Sequence, residues 1–170
     1  ANLSPTHWNT IMQYDLPQNT FKRAIRDGRQ QIGLWCSLPG GYVAELNAGA
    51  GYDWMLIDTE HSPSDPLAAL EQLQAAAAYP VHCVVRPAIN DAVLIKRFLD
   101  NGAQTLLIPY VQTAEEAKAA VAATRYPPHG IRGVAGVTRA TKFGRIPGYA
   151  KKAADELCLL VQVETQFALD

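Results

Sequence analysis

Three features of the sequence predict an α/β fold built on a parallel sheet. Five short apolar runs recur along the 170 residues, and helical stretches separate them. The runs are apolar almost throughout instead of alternating with polar residues, which requires burial on both faces of the sheet. Polar residues gather where the runs end, and in barrels and open parallel sheets alike the carboxyl ends of the strands bind ligands.

The elements follow in order. Residues 1–19 are polar and aperiodic and read as an N-terminal arm, with Trp8 and Tyr14 as anchors on the body or on a neighbour. Thr20 to Asp27 forms a short helix stopped by Gly28. The first strand is Ile32 to Ser37, and a helix over Tyr42 to Asn47 follows. Trp54 to Ile57 is the second strand and runs into Asp58-Thr59-Glu60-His61. Asp65 caps the next helix, with Pro66 in its first turn, and that helix extends to about Ala78. Cys83 to Val85 is the third strand, ending at Arg86. Asn90 caps a helix with Leu94, Ile95, Phe98 and Leu99 on one face. Thr105 to Ile108 is the fourth strand, and Thr113 with Glu116 makes a capping box for the helix after it. Leu157 to Glu164 is the fifth strand. Between the fourth and fifth units lies Tyr126 to Asp155, basic and rich in glycine, which reads as a long functional loop.

Composition excludes several classes. Fifteen basic against 16 acidic residues give a net charge of −1, which offers nothing to a nucleic acid. No apolar run reaches the roughly 18 residues of a membrane span. The first residues lack the basic start and apolar centre of a signal peptide. Cys36, Cys83 and Cys158 form no C-x-x-C pair and lie in apolar runs, so they read as reduced thiols in a cytoplasmic protein.

Chemistry concentrates at strand ends. Asp58, Glu60 and His61 place two carboxylates and an imidazole after one buried strand, suited to proton transfer; the same pattern also serves a helix-entry loop with solvated acids. Arg86 needs an anion at the end of a buried strand, either a substrate or a structural partner such as Asp58 or Glu60. Gln162 and Glu164 alternate with Val161 and Val163 and so share one side of the fifth strand. Glu164 suits a hard divalent cation, or an ion pair with a basic side chain. Trp35 packs in the core or lines the site. His7, His82 and His129 stand alone, as surface or packing residues, and the glycines of 130–136 could cradle an anion. The six lysines avoid strand ends, which disfavours imine chemistry. Walker and G-x-S-x-G motifs are absent.

The run Ile57-Asp58-Thr59-Glu60-His61-Ser62-Pro63 resembles the L-I-D-x-E-H-x-P signature of the HpcH/HpaI aldolases. The likeness continues through G-L-W (33–35), A-E-L (44–46), V-V-R-P (84–87), Q-T-L-L-I-P (104–109), R-Y-P-P-x-G-I-R-G-V (125–134) and V-Q-V-E-T (161–165). It extends over about residues 20–168.

This resemblance implies a (β/α)8 TIM barrel of the phosphoenolpyruvate/pyruvate type. Residues 20–170 would carry its first five strands, as part of a longer polypeptide. It implies a class II pyruvate aldolase that cleaves 4-hydroxy-2-oxo acids to pyruvate and an aldehyde through a metal-bound pyruvate enolate. The cofactor would be Mg²⁺, Mn²⁺ or Co²⁺, and the assembly a homo-oligomer, trimer or hexamer. By position, His61 and Asp58 match the acid/base pair and Arg86 the arginine at the enolate oxygen. Gln162 matches a residue lining the metal pocket, and Glu164 one metal carboxylate whose partner ligand falls after residue 170; Arg86, Gln162 and Trp35 are the expected substrate-binding residues. Alternatives are another lyase of the superfamily, an oxaloacetate decarboxylase, or a truncated barrel without catalysis.

Overall fold

The computed structural model describes residues 12–169. Five strands form one sheet: β1 Gly33–Cys36, β2 Trp54–Asp58, β3 His82–Arg86, β4 Thr105–Ile108 and β5 Cys158–Val161. Their order is β1-β2-β3-β4-β5 and every pair is parallel. Each crossover therefore steps one strand in the same direction, as in a singly wound barrel; a doubly wound sheet reverses its order. The helices are α1 Thr20–Arg26, α2 Gly41–Ala48, α3 Pro66–Ala76, α4 Ala92–Asp100, α5 Ala114–Thr124, α6 Tyr149–Glu156 and α7 Gln166–Leu169.

Local chemistry explains most boundaries. The Asp65 carboxylate accepts from the N–H groups of Leu67 and Ala68, and Pro66 opens α3. Thr113 Oγ1 accepts from Glu116 N, while Glu116 Oε2 accepts from Gln112 N, one residue before the cap. The expected cap at Asn90 is corrected by one position. Asp91, with extended backbone, accepts from Val93 N and Leu94 N, and the Asn90 amide instead donates to Glu116 O. The fifth strand is shorter than expected, because past Ile108 the ladder slips by one residue: Gln162 O accepts from Val111 N, and Tyr110 N turns to the Glu164 carboxylate. Gln162 and Glu164 thus lie beyond β5, although Gln162 N still donates to Ile108 O at 2.9 Å.

The expected loop over 126–155 is corrected twice. Its end, from Tyr149, is helix α6, entered through Gly148 in the left-handed region (φ 67°), where only glycine escapes a steric cost. The rest packs at the amino-terminal end of the sheet, away from the strand ends that carry the chemistry. Arg139 donates to Asn101 O and Leu73 O, at the carboxyl ends of α4 and α3, and Arg132 donates to Asp100 Oδ1 at 2.8 Å. A stretch so placed cradles no anion at the strand ends.

Strand periodicity divides the side chains between two faces. Met55, Ile57, Val85, Leu106 and Ile108 pack against Ala69, Leu73, Ile95, Phe98 and Leu99 of the helices. Leu56, Asp58, Val84 and Arg86 lie on the other face and are also buried. The aromatic group at the amino end of that face joins α1 to the sheet: Phe21 meets Trp54 edge-on at 5.8 Å and stacks on His82 at 5.7 Å. Gly33 pairs in register with Trp54, whose indole occupies the space a Cβ would need.

The described part of the arm docks on the body. Tyr14 N donates to Arg145 O, and Gln104 Nε2 to Pro17 O. Asn19 is fully buried; it caps α1 through Lys22 N and donates to Thr105 Oγ1 and Glu156 O. The expected anchor Trp8 and His7 lie outside the described residues.

His82 Nε2 stands 2.7 Å from Thr105 Oγ1. Because the Asn19 amide donates to that oxygen, the Thr105 proton is free to go to a neutral imidazole. Burial holds His82 down at about 4, against 6.5 for an exposed histidine. The unfolded chain therefore takes up this proton first. Stability from the neutral ring is complete above pH 6.5 and declines as pH falls toward 4. Between pH 7 and 5 the expected loss is about 2 kcal/mol. Urea unfolding at both pH values should show this loss in the wild type and a smaller one in His82→Gln; equal losses would contradict it.

Candidate active site

The parallel register sets Asp58 of β2 directly opposite Arg86 of β3. Arg86 Nε donates to Asp58 Oδ1 at 3.0 Å and Nη2 to Oδ2 at 2.7 Å, a two-pronged ion pair. Arg86 Nη1 donates to Gln162 Oε1 at 3.3 Å. Glu60 Oε2 lies 2.9 Å from Nη1 but off its N–H directions, so this contact is an ion pair and that buried oxygen accepts no hydrogen bond. The Trp35 indole donates to Asp58 Oδ2 at 3.2 Å, and its ring faces the guanidinium with 4.6 Å from centroid to Cζ.

Asp58 also builds the loop that follows it. Its Oδ1 accepts from Glu60 N and His61 N, while Ser62 Oγ donates to the Asp58 carbonyl. Thr59 N and Oγ1 both donate to Arg86 O, tying the loop to β3. The His61 imidazole does not reach the Asp58 carboxylate. It is largely solvent-exposed (76%), and its Nε2 stands 3.7 Å from Glu60 Oε1. Asp58 thus meets His61 through the backbone, and the side-chain neighbour of the imidazole is Glu60.

Asp58, at 1% exposure, carries two opposing influences. Burial pushes its pKa up, and the hydrogen bonds from Arg86, the Glu60 backbone, Trp35 and the His61 backbone outweigh it, so the carboxyl sits at about 2.

Of the expected site residues, the structure brings together Trp35, Asp58, Arg86 and Gln162, with His61 at the rim. Glu164 lies beyond β5; its Oε1 accepts from Tyr110 N at 3.2 Å, and Tyr110 has a left-handed backbone (φ 52°). Glu60 is the residue whose place the sequence did not resolve; its position two residues after the strand-end Asp58 is the signal that marks it. A cleft of about 400 Å³ adjoins the cluster, lined by Glu60, Ile89, Asn90, Tyr110 and Glu116 among others. Another of about 440 Å³ lies at the opposite end of the sheet and contains none of these residues.

The charge balance bears on a metal. Asp58, Glu60 and Glu164 lie at these strand ends, and among the described residues Arg86 is the arginine or lysine ion-paired with Asp58 and Glu60. An excess of carboxylates fits a hard divalent cation. Among the described residues, however, no three His, Cys, Asp or Glu side chains are grouped to hold one. Glu164 is thus a lone candidate ligand among the described residues.

Because the folded-state pKa of Asp58 is lowered, the stability it contributes is present above about pH 4 and declines as pH falls toward 2. Asp58→Asn should cost about 2–4 kcal/mol in denaturant unfolding at pH 7, since it leaves Arg86 buried beside Glu60 alone. A cost below about 0.5 kcal/mol would show that the pair does not organise the site.

A family model for HpcH/HpaI aldolase/citrate lyase matches residues 31–170. The chain is 68% identical over 155 residues to a pyruvate aldolase of Rhizobium etli, covering 91% of the chain and 61% of the relative. Identity is 66% to a hydroxypyruvate/pyruvate aldolase of Sagittula stellata, at the same coverages. It is 57% to a 4-hydroxy-2-oxo-heptane-1,7-dioate aldolase of Escherichia coli, covering 89% and 58%. The crystal structure of an HpcH/HpaI aldolase/citrate lyase family protein from Burkholderia cenocepacia superposes with a TM-score of 0.87 at 42% identity, covering 90% of this chain and 62% of that one. The chain therefore spans about three fifths of the length of the curated relatives it matches. Such neighbours confirm the barrel-type α/β class that the strand order indicates. On this match, which takes in all five strands and every residue of the cluster, the chain belongs to the HpcH/HpaI aldolase/citrate lyase family.

Proposed function

We propose that the protein is a metal-dependent pyruvate aldolase, cleaving 4-hydroxy-2-oxo acids reversibly to pyruvate and an aldehyde. The observation that carries this reading is the buried Arg86 guanidinium, held at the strand ends by Asp58, Glu60 and Gln162. Three of its five N–H groups are placed by hydrogen bonds, and the others remain to meet a developing negative charge. The names of relatives at 57–68% identity support the same chemistry. In this reading residues 20–170 are the first five units of a single barrel, with residues 1–19 as its arm.

Each residue has a role in the proposal. Arg86 stabilises the enolate oxygen that forms when the carbon–carbon bond breaks, from a position its partners have fixed beforehand. His61, at the exposed rim, carries the proton between solvent and the hydroxyl or carbon centre. Asp58 positions both, Arg86 through its carboxylate and His61 through the backbone of its loop. Trp35 covers one face of the guanidinium, and Gln162 orients Nη1. Glu164 supplies one carboxylate to a divalent cation, Mg²⁺, Mn²⁺ or Co²⁺, which as a Lewis acid would polarise the keto group of the substrate. The remaining ligands would come from sequence that the longer relatives possess. A homo-oligomer, trimer or hexamer, working in the cytoplasm completes the reading. The free state of all three cysteines suits that compartment, and no described helix is long and apolar enough to cross a membrane.

The test is pyruvate release from a 4-hydroxy-2-oxo acid, measured with Mg²⁺ or Mn²⁺ and again after chelation. Chelation should abolish it. Arg86→Ala should lower kcat by about 10²–10³-fold and His61→Ala by about 10²–10⁴-fold. Activity that survives chelation, or that survives both substitutions together, would overturn the proposal.

A further inference from the structure

Polar groups at the amino-terminal end of the sheet are largely satisfied by one another, but two charges there are not. The cleft of about 440 Å³ at that end is lined by Arg139 and Lys142, and no aspartate or glutamate is among its described lining residues. Neither cation makes an ion pair with a described carboxylate, whereas Arg23, Arg29, Arg86, Lys118 and Arg132 each do. The carbonyls of Asn101 and Leu73 orient the Arg139 guanidinium. They cancel only part of its charge and leave three of its five N–H groups for another acceptor. Burial works against that charge. The neighbouring Cys83 would favour it only as a thiolate, and burial holds this thiol up at about 12.

The backbone is bent to present these groups. Lys142 and Phe143 are successive residues in the left-handed region (φ 50° and 57°), followed by Gly144 at 84°. That conformation is costly for residues with a Cβ, and strain of this kind gathers at binding sites. The buried Thr141 hydroxyl holds the turn, accepting from Thr138 N and Gly144 N. Facing it, Gly102 lacks the Cβ that would stand 2.7 Å from Arg139 Nη1. The rest of the wall is apolar: Leu73 and Ala76 from the end of α3, Val81 before β3, and the Tyr79 ring. Leu73 and Ala76 are buried, and Tyr79, Val81, Arg139 and Lys142 are half-buried, so packing sets the shape of the cleft.

From this combination we propose that the cleft is a second binding site, at the opposite end of the sheet from the Arg86 cluster, for a small organic anion: a carboxylate carried on an apolar body. Arg139 and Lys142 meet the carboxylate, and Leu73, Val81 and Tyr79 meet the body. The volume falls within the range of about 300–1,000 Å³ usual for small-molecule sites. The proposal stands independently of the aldolase reading, since none of these residues has a part in that chemistry.

The experiment measures binding to the full-length protein by equilibrium dialysis of 2-naphthoate and of 2-naphthamide, which share a ring system and differ in charge. Wild-type protein should bind the carboxylate about tenfold more tightly, with the advantage shrinking at high salt. Lys142→Asn removes one charge and suits the left-handed backbone better than lysine, so the fold is kept. It should weaken 2-naphthoate about fivefold and leave 2-naphthamide unchanged. Ala77→Glu, at an exposed position of the lining, adds a carboxylate and should weaken 2-naphthoate about tenfold. Arg86→Ala, at the other end of the sheet, should leave the affinity for 2-naphthoate as it is. Failure of the wild type to bind 2-naphthoate, or equal affinity for the two probes, would overturn the proposal. So would binding that is lost in Arg86→Ala and kept in both Lys142→Asn and Ala77→Glu, which would place the anion in the catalytic cluster.

Discussion

The register between β2 and β3 places Asp58 opposite Arg86, and the ion pair this creates is the constraint on which the site depends. Shifting either strand by one residue would turn one partner to the opposite face. Such a pair contributes little net stability, because removing two charges from water costs about as much as their attraction returns. Its effect is geometric. Asp58 uses one carboxylate to hold the guanidinium on two prongs, the Trp35 indole, and the backbone of the loop bearing Glu60 and His61. Three strands and one loop are thereby fixed relative to one group. Loss of Asp58 would release all of them together, whereas loss of any single donor would leave the others in place.

The two ends of the sheet divide their work. At the carboxyl ends, charges stand in excess and are only partly compensated. At the amino ends the polar groups are closed in on the protein itself. His82, Thr105 and Asn19 satisfy one another, and the basic stretch after α5 serves the helices. Arg139 donates to carbonyls near the ends of α3 and α4, and Arg125 to Ala154 O in α6. Helix carboxyl termini expose acceptors and a partial negative charge, so guanidinium groups stabilise them. Two of the arginines that make this stretch basic, Arg125 and Arg139, are thus engaged by helix carbonyls. Arg132 follows the same pattern: paired with Asp100, it lies over the Tyr126 ring with its Cζ 4.6 Å from the centroid.

Sequence pattern made the sheet legible because burial on both faces leaves no ambiguity of period: Met55, Leu56 and Ile57 are all fully buried, and the run shows it. Caps were legible where a second signal fixed the position: Pro66 at the first helical position marked Asp65, and Glu116 three residues on marked Thr113. At Asn90-Asp91 two residues of equal capping capacity were adjacent, and only the backbone angles decide between them. Helix α6 was hidden because it begins at a glycine without a side-chain cap and follows Pro147. In the site, a strand-end position identified Asp58 and Arg86, but whether Arg86 met a substrate or an acid was open. It meets two acids, and register, which composition does not encode, brings them there. Pairing of His61 with Asp58 followed from closeness in sequence; in space Asp58 is already occupied, and Glu60 takes the side-chain contact.

That occupation has a consequence for the proposed chemistry. A carboxyl held at about 2 and bonded to a guanidinium, an indole and two backbone N–H groups has no proton to give near neutral pH and no free lone pair directed at a substrate. In the proposal, proton traffic then falls to the group at the rim, His61, which has solvent on one side and the Glu60 carboxylate on the other. Glu60 in turn links the imidazole to Arg86, so charge forming at the guanidinium acts on the proton carrier through one intervening carboxylate. In the proposed chemistry two tasks that would compete in one residue are thus separated: Asp58 keeps the shape of the site, and the exposed His61 is the residue proposed to carry the proton.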